Sequence, residues 1–392
     1  MDRAALAPGR ARALAVLAAS LVLAMTTWFS ASAVVPQLRD EWALGDTAAA
    51  WLTIAVQLGF VTGALVSALL NIADVVAPRV AILTGAAGAA AANALLGAVS
   101  GAGAAMPLRF LTGFFLAGVY PPALKLMATW FQRGRGTALG ILVGALTLGS
   151  AVPHLVNALG GLDWHTVVYA TSALTLAGGL LALAVRDGPY PFPQATFDPH
   201  QARRVFANRG VRLASLGYFG HMWELYAMWA WFVVFYSIAV DDGAGAAYAT
   251  FAVIAAGAAG CWVGGVLGDR IGRPETTALA MALSGTCALL IGLFLDAPAW
   301  VVLAIGLVWG FTVVADSAQF STLVTEHADQ AYVGTALTVQ LAVGFTLTVA
   351  TIWLMPFFAD AVGWRWAFAF LAPGPALGVV AMLRLRAAQG GG

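Results

Sequence analysis

The chain has 392 residues, of which 61% are hydrophobic and 9% are charged, and its formal net charge is +1. Soluble domains carry about 25% charged residues, so this composition excludes a soluble globular protein. The near-neutral charge also argues against a nucleic-acid partner. Apolar runs of about 20 residues favour membrane-spanning helices over the shorter, alternating strands of a membrane barrel.

Twelve apolar segments are long enough to cross a bilayer. They lie at about 13–36, 47–70, 80–99, 104–130, 137–160, 165–185, 213–239, 245–268, 276–295, 298–322, 332–357 and 364–385. Ala31-Ser32-Ala33 is similar to a signal-peptidase site, but the first segment is long enough to span and has a counterpart in the second half.

The arginines predict how these segments are oriented. An even number of spans places both termini on one side, and fifteen arginines fall on that side, whereas only Arg39 and Arg365 fall on the other. By the positive-inside rule, both termini are predicted to be cytoplasmic, in a cytoplasmic (inner) membrane.

The fourth segment carries two cations, Arg109 and Lys125, and is predicted to kink at Pro121-Pro122. A cation in hydrocarbon costs several kcal/mol unless it meets a partner or a wet cavity. We therefore predict that both cations belong to the substrate site. The alternative is that they anchor the helix at the membrane interface.

Residues 187–211 form the one linker that the sequence predicts. Its start, DGPYPFPQ, is too rich in proline for a helix, whereas PHQARRVFANR could be either a short basic amphipathic helix or a solvated tether. This linker divides the chain into an N-terminal six-helix bundle over 1–186 and a C-terminal six-helix bundle over 212–392.

The two halves of the chain repeat. Asp74 and Asp269 lie 195 residues apart, and the GTAL of residues 136–139 recurs at 334–337. Six helices followed by six helices, both starting from the cytoplasm, predict a parallel repeat about an axis along the membrane normal.

Segment 7 places two titratable residues, His221 and Glu224, on one helical face near mid-membrane. A carboxyl group there can bind and release protons, and His221 can share them, so we predict both as proton-coupling residues. The alternatives are a core histidine bonded to a carbonyl and a glutamate that pairs with a buried cation.

Segment 10 carries Asp316 and Gln319. At the repeat offset, Asp316 corresponds to Pro121, which predicts a depth similar to that of Lys125 on the facing helix. Lys125–Asp316 is therefore a candidate ion pair between the bundles, either displaced by a substrate anion or kept as a permanent gate.

Aromatic residues crowd segments 1 and 7, Trp28, Trp223, Trp229 and Tyr226 among them. They can form a wall for a planar or apolar substrate, or they can simply pack helices. The complete predicted substrate site comprises Trp28, Arg109, Tyr120, Lys125, Trp223, Tyr226, Asp316 and Gln319.

Over nearly its whole length the chain resembles the major facilitator superfamily. Gly265-Val-Leu-Gly-Asp269-Arg270-Ile-Gly272-Arg273 matches the inter-helix loop signature, and Arg109-x-x-x-Gly113 resembles the fourth-helix motif. The resemblance implies an all-α membrane fold of twelve helices in two six-helix bundles, related by a pseudo-twofold axis along the membrane normal. It also implies a central cavity lined by segments 1, 4, 7 and 10, and transport by rocking of the bundles.

The loop signature has a physical role in this fold. Asp269 can accept hydrogen bonds from a helix N-terminus, and the arginines can pair with acidic groups or helix C-termini. These contacts would hold the bundles in one state and break in the other. The predicted conformational gate comprises Asp74, Arg79, Gly265, Asp269, Arg270, Gly272 and Arg273. The alternative is that these charges only fix topology.

These features predict a secondary active transporter, proton-coupled, for a small organic anion. The sequence GVYPPALKLMATWF is similar to that of the branch with cyanate, nitroimidazole and nitrate–nitrite carriers. Segments 2 and 8, however, lack the arginines of nitrate porters. The alternative is a proton-coupled drug antiporter, favoured by the aromatic residues and a partial antiporter motif in segment 5.

No nucleophile–base set, metal-ligand spacing or phosphate loop indicates an enzyme, so we expect no catalytic residue, metal or cofactor. The predicted partners are a small-molecule substrate, protons and the lipid bilayer, and the protein is predicted to be a monomer.

Overall fold

The computed structural model describes residues 8–132, 134–159, 162–190, 199–240, 242–329 and 332–390. In these residues every regular element is a helix. Twelve helical spans are long and apolar enough to cross a membrane, which confirms the predicted number. Spans 1 to 12 are Arg10–Thr27, Thr47–Leu69, Pro78–Ala98, Ala102–Ala128, Arg135–Ala158, Trp164–Ala182, Arg209–Ala239, Gly243–Ile271, Arg273–Phe294, Ala299–His327, Val333–Val362 and Trp364–Gln389.

Span 1 loses α-helical geometry part-way across the membrane. Its α-helix, Arg10–Ala24, is followed by a 3-10 turn over Met25–Thr27 and then by a short helix, Ser30–Ala33. A further helix, Val35–Trp42, leads to span 2. The break leaves backbone carbonyls inside the bundle that a straight helix would use in its own hydrogen bonds.

Spans 4 and 10 also break, at corresponding places in the repeat. Span 4 consists of helices Ala102–Leu116 and Tyr120–Ala128, which confirms the predicted kink, because a proline ring clashes with the preceding turn. Span 10 consists of helices Ala299–Ala315 and Ser317–His327, which meet at Asp316.

The spans pack as the two six-helix bundles that the resemblance implies. In the N-terminal bundle span 2 packs on span 4 and span 3 on span 6, and in the C-terminal bundle span 8 packs on span 10 and span 9 on span 12. The bundles meet where span 5 packs on span 8 and span 2 packs on span 11. The two contacts are therefore equivalent to each other in the repeat, because span 5 corresponds to span 11 and span 2 corresponds to span 8.

Small residues allow spans 5 and 8 to approach closely. A Cβ atom on Gly140 would lie 2.8 Å from the carbonyl oxygen of Cys261, and one on Gly144 would lie 2.9 Å from that of Ala258. Side chains at these positions would force the bundles apart.

Before span 7, a short helix covers Ala202–Ala207, which agrees with the helical alternative for this part of the linker. Span 7 then begins at Arg209, and the side chain of Asn208 caps it by accepting a hydrogen bond from the Val211 amide at 3.1 Å. Residues 191–198 lie outside the described part, and the domain boundaries at 186 and 212 stay predictions.

Candidate transport site

Six buried aromatic side chains lie where the two bundles face each other, and we call them the ring cluster. They are Trp28, Phe29, Phe60, Tyr226, Trp229 and Phe345. Tyr226 is central: its ring centroid lies 5.8 Å from that of Trp28, 6.2 Å from that of Phe29 and 5.2 Å from that of Phe345. The cluster thus joins the chain after span 1 to spans 2, 7 and 11.

Four polar atoms beside the ring cluster have no hydrogen-bond partner among the described residues. They are the indole nitrogens of Trp28 and Trp229 and both amide atoms of Gln57. All three side chains are almost completely buried. An unpaired buried polar group costs about 1–3 kcal/mol, so a group of them in one place calls for an explanation.

The C-terminal bundle encloses both predicted proton-coupling residues. The Glu224 carboxylate accepts hydrogen bonds from Trp309 Nε1 at 2.7 Å and from Ser284 Oγ at 2.8 Å. One turn earlier, His221 Nδ1 lies 2.9 Å from Asp316 Oδ1. The side chains of this pair are only 1% and 2% exposed, and Asp316 occupies the break in span 10.

Asp316 therefore pairs with His221 inside one bundle in this structure. Lys125 lies half-buried on the second helix of span 4, and its predicted ion pair with Asp316 stays a prediction. Glu224 lies one turn after His221 on span 7, so both acidic residues have neighbours on the same stretch of that helix.

Arg109 is fully buried in the N-terminal bundle, where its guanidinium closes the break in span 1. Nη1 donates to the Thr27 carbonyl at 2.9 Å, and Nη2 donates to the Trp28 carbonyl. Nη1 also donates to Ser30 Oγ and Asn93 Oδ1, each at 3.1 Å, and Nε donates to the Leu52 carbonyl at 3.3 Å. These acceptors are all neutral.

Each bundle thus holds one buried ionisable side chain at the junction of the first, third and fourth segments of its repeat. In the first half the contributing side chains are Ser30, Asn93 and Arg109. In the second half they are Glu224, Ser284 and Trp309. The two junctions are equivalent in the fold, but one holds a basic side chain and the other an acidic one.

The predicted gate residues of the second half lie between spans 5, 8 and 10. Asp269 Oδ2 accepts a hydrogen bond from Thr137 Oγ1 at 3.2 Å, in the first turn of span 5. Arg273 lies 3.3 Å from Asp269 and 2.9 Å from Glu326. Gly272 has a φ of +106°, which favours glycine at the turn between spans 8 and 9.

The other predicted gate residues have less specific surroundings. Gly265 is buried against the start of span 5, Arg270 is exposed, and Arg79 is half-buried in the first turn of span 3. The side chain of Asp74 lies outside the described part. The gate as a whole stays a prediction.

Two predicted substrate residues lie apart from the ring cluster. Trp223 donates a hydrogen bond to the Phe370 carbonyl at 3.2 Å and packs on span 12. Gln319 accepts from Arg273 Nη1 at 2.8 Å and donates to the Gly264 carbonyl at 3.2 Å, which joins it to the gate. Tyr120 is half-buried at the start of the second helix of span 4.

Comparison with known sequences decides the family. The family model described as Major Facilitator Superfamily matches residues 17–352. The chain belongs to the major facilitator superfamily. It is therefore a multi-pass membrane transporter, and members of this superfamily are in general not enzymes.

Two relatives of this superfamily protein illustrate its similarity. A puromycin resistance protein, pur8, from Streptomyces alboniger is 30% identical over 176 residues, which cover 43% of this chain and 34% of the relative. The match thus spans about a third of the length of that curated relative. A bacterial homologue of the human lysosomal transporter Spinster, solved in an inward-facing and unoccupied conformation, aligns with a TM-score of 0.66. That alignment has 15% identity and covers 97% of this chain and 96% of the other, so it shows a common fold.

Several site residues of this superfamily member were not predicted from sequence. Gln57 and Asn93 were overlooked although each is a polar residue inside an apolar segment, which is a usable signal. Trp309 and Ser284 carry no such signal, because tryptophan and serine are ordinary in membrane helices. Their role depends on contacts with Glu224 that only the fold brings about.

Proposed function

We propose that the protein is a proton-coupled secondary active transporter that moves a small organic anion by alternating access. The observation that carries this proposal is the group of buried titratable residues in the C-terminal bundle: His221 and Asp316 2.9 Å apart, with Glu224 one turn further along span 7. Ionisable residues inside a membrane protein typically mark ion and proton paths.

The geometry supports a specific way of linking the proton to the movement. A proton can pass between the Asp316 carboxylate and the imidazole of His221, because Oδ1 and Nδ1 lie only 2.9 Å apart. Adding a proton to Asp316 removes the charge that attracts a protonated His221. Because Asp316 lies at the break in span 10, the change acts where the helix is already discontinuous and able to bend.

The contacts of the gate stabilise one of the two states of the transport cycle. Asp269 holds the start of span 5, and Arg273 joins Asp269 to Glu326 on span 10. Release of these contacts would let the bundles rock about the ring cluster. Span 10 carries both Asp316 and Glu326, so it connects proton binding with the gate.

The choice of an anion as the substrate depends on Lys125. This residue lies on the second helix of span 4, five residues after Tyr120. The resemblance of the sequence GVYPPALKLMATWF to the cyanate, nitroimidazole and nitrate–nitrite branch is part of the same proposal. We place the protein as a monomer in the cytoplasmic membrane, with both termini in the cytoplasm.

A proton-coupled drug antiporter is the second candidate. The observation that favours it is the ring cluster, because six buried aromatic rings suit a lipophilic solute. The puromycin resistance protein among the relatives points the same way.

Flux in proteoliposomes with an imposed pH gradient tests the proposal. We would use benzenesulfonate and benzyltrimethylammonium, which carry the same ring and fixed, opposite charges, so neither crosses the bilayer as a neutral weak acid. We expect the gradient to drive benzenesulfonate flux in the wild type. In Glu224→Gln and Asp316→Asn we expect this gradient-driven flux to fall at least tenfold.

Asp296→Asn is the matched control, since it removes an exposed carboxylate that pairs with Arg365 far from the bundle core. It should transport like the wild type. Unchanged coupling in both Glu224→Gln and Asp316→Asn would refute the proton path, and gradient-driven flux of benzyltrimethylammonium alone would favour the drug antiporter.

A further inference from the structure

We propose that Trp28, Gln57 and Trp229 together bind the polar group of the substrate within the ring cluster, and that the substrate is a planar aromatic molecule bearing hydrogen-bond acceptors, such as an aromatic acid. This inference rests on the proposed transport function and specifies its substrate. It is carried by the buried, unpaired polar atoms of these three side chains.

Gln57 faces the chain that follows span 1. One turn before it on span 2, Thr53 Oγ1 lies 2.6 Å from Ser32 Oγ, and one turn after it the Phe60 ring lies 4.9 Å from the Trp28 ring. Residues spaced by three or four share one helical face. Gln57 therefore lies between Ser32 and Trp28, on the face that contributes Phe60 to the ring cluster.

Trp229 reaches the same place from the other bundle. Its ring lies 5.9 Å from that of Phe29, the neighbour of Trp28, and 5.4 Å from that of Tyr226, which stacks on Trp28. The unpaired groups therefore surround one region, two of the side chains coming from the N-terminal bundle and one from the C-terminal bundle.

Trp229 differs from three other tryptophans of spans 7 and 10 in lacking a hydrogen-bond acceptor among the residues that the structure describes. These three donate: Trp223 to the Phe370 carbonyl, Trp231 to the Ile352 carbonyl and Trp309 to Glu224. Trp229 alone, of the four, has no acceptor in the described part of the chain. The fold thus pairs indole groups used for packing and leaves this one available.

The chemistry of the three side chains selects the ligand. Two indole groups and one primary amide present four N–H bonds but only one carbonyl oxygen. A ligand that satisfies them must carry mainly acceptors, as a carboxylate or sulfonate does. The surrounding rings suit a flat, apolar body, since aromatic pairs gain from stacked and edge contacts.

Such a ligand would also connect binding with the transport cycle. Because the donors come from both bundles, a ligand that engages all of them holds the bundles together around itself. When the bundles rock apart on either side, Trp229 separates from Trp28 and Gln57 and the ligand is released. The substrate is thus bound most tightly in the closed intermediate.

Melting-temperature titrations in lipid nanodiscs test the inference, with benzenesulfonate as the acceptor-bearing probe and benzyltrimethylammonium as the cationic one. Benzenesulfonate should stabilise the wild type, and its apparent Kd should rise roughly tenfold or more in Gln57→Leu and in Trp28→Phe, since each loses a bond to the ligand. Without ligand, Gln57→Leu should melt at the wild-type temperature or above, because it removes two unpaired polar atoms.

Trp231→Phe is the matched control on span 7, because its indole group already has a backbone acceptor. It should melt lower than the wild type and bind benzenesulfonate with an unchanged Kd. The inference is overturned if benzenesulfonate does not bind, if Gln57→Leu binds it as the wild type does, or if benzyltrimethylammonium binds more tightly.

These assays use no pH gradient, so they separate the two proposals. Loss of binding in the ring-cluster variants, with gradient-independent flux, would support this inference and refute proton coupling. Proton-driven flux together with unchanged benzenesulfonate binding in those variants would support proton coupling and refute this inference.

Discussion

At the scale of single residues, Arg109 is a fully buried cation in the N-terminal bundle, and the burial of a charge costs free energy unless the charge is hydrogen-bonded. Its guanidinium is completely buried, yet its acceptors are three backbone carbonyls, a hydroxyl and an amide oxygen. Arginine suits this place because its planar group offers five donors in a fixed geometry and stays charged. We interpret Arg109 as the residue that stabilises the break in span 1, next to Trp28 and the ring cluster.

We expect Arg109→Met to lower the melting temperature strongly, because each acceptor left unpaired costs about 1–3 kcal/mol and several would be left. Arg109→Lys should also destabilise the protein, since an ammonium group cannot reach the same acceptors. Thermal unfolding of the purified protein measures both effects. The predicted substrate role would give a different result: Arg109→Lys would then keep its stability and only weaken substrate binding.

The exposed Arg365 offers the control, because it lies in the first turn of span 12 and pairs with the exposed Asp296. Exchange of exposed arginine for lysine usually changes stability by less than about 0.5 kcal/mol. A wild-type melting temperature for Arg109→Met would show that the break in span 1 does not depend on this side chain.

At the scale of helices, glycines distinguish contacts within a bundle from contacts between bundles. A Cβ atom on Gly113 would lie 1.9 Å from the Val56 carbonyl oxygen, inside the N-terminal bundle. A Cβ atom on Gly144 would lie 2.9 Å from the Ala258 carbonyl oxygen, across the bundle interface. The first contact cannot loosen without disrupting the bundle, whereas the second loosens whenever the bundles rock.

We therefore expect Gly113→Ala to reduce folded yield and melting temperature, and Gly144→Ala to leave folding largely intact while favouring the state in which spans 5 and 8 separate. Spin labels at residues 12 and 384, both exposed near the chain ends, would report that separation as a longer distance. Gly103→Ala is the control, because no atom lies within 4 Å of its Cβ position. Equal melting temperatures for Gly113→Ala and Gly144→Ala would contradict this distinction.

The sequence predicts the helices far better than it predicts their interruptions. Length and hydropathy suffice to locate all twelve spans, and Pro121-Pro122 predicts the break in span 4. The breaks at Met25–Thr27 and at Asp316 lack a proline or glycine signal, because tertiary contacts with Arg109 and His221 stabilise them. A single sequence does not show which distant side chain will meet a helix at mid-membrane.

The candidate site follows the same rule. Buried charge alone identifies Arg109, Glu224 and Asp316 as exceptional, since each is costly in an apolar segment. Which residue pairs with which is decided by helix rotation and depth, so the contact of Asp316 with His221 was not predicted. The sequence contains the chemistry of the site, but the packing of the bundles determines its geometry.

At the scale of the whole molecule, the gate should set the balance between the two states of the cycle. Asp269 is only a third exposed and lies at the N-terminus of span 5, where an anion contributes up to about 1 kcal/mol. Asp269→Asn should therefore raise the population with separated labels at residues 12 and 384 by roughly fivefold at most.

Pulsed electron paramagnetic resonance measures this population directly. Asp296→Asn again serves as the control, because it removes a carboxylate from the opposite end of the C-terminal bundle. An unchanged distance distribution in Asp269→Asn would mean that Asp269 fixes topology without acting as a gate.

The orientation of the whole chain can be tested through its arginines. Fifteen of them lie on the side of the termini, against two on the other, and such an asymmetry fixes topology during insertion. We expect green fluorescent protein fused after Gly392 to be fluorescent and alkaline phosphatase at the same place to be inactive. Fusions after Ala297, in the loop between spans 9 and 10, should give the opposite pattern, because three spans, an odd number, separate that loop from the C-terminus. Active phosphatase at the C-terminus would invert the molecule, place the Asp269–Arg273 gate outside the cell and reverse the direction in which protons meet His221 and Asp316.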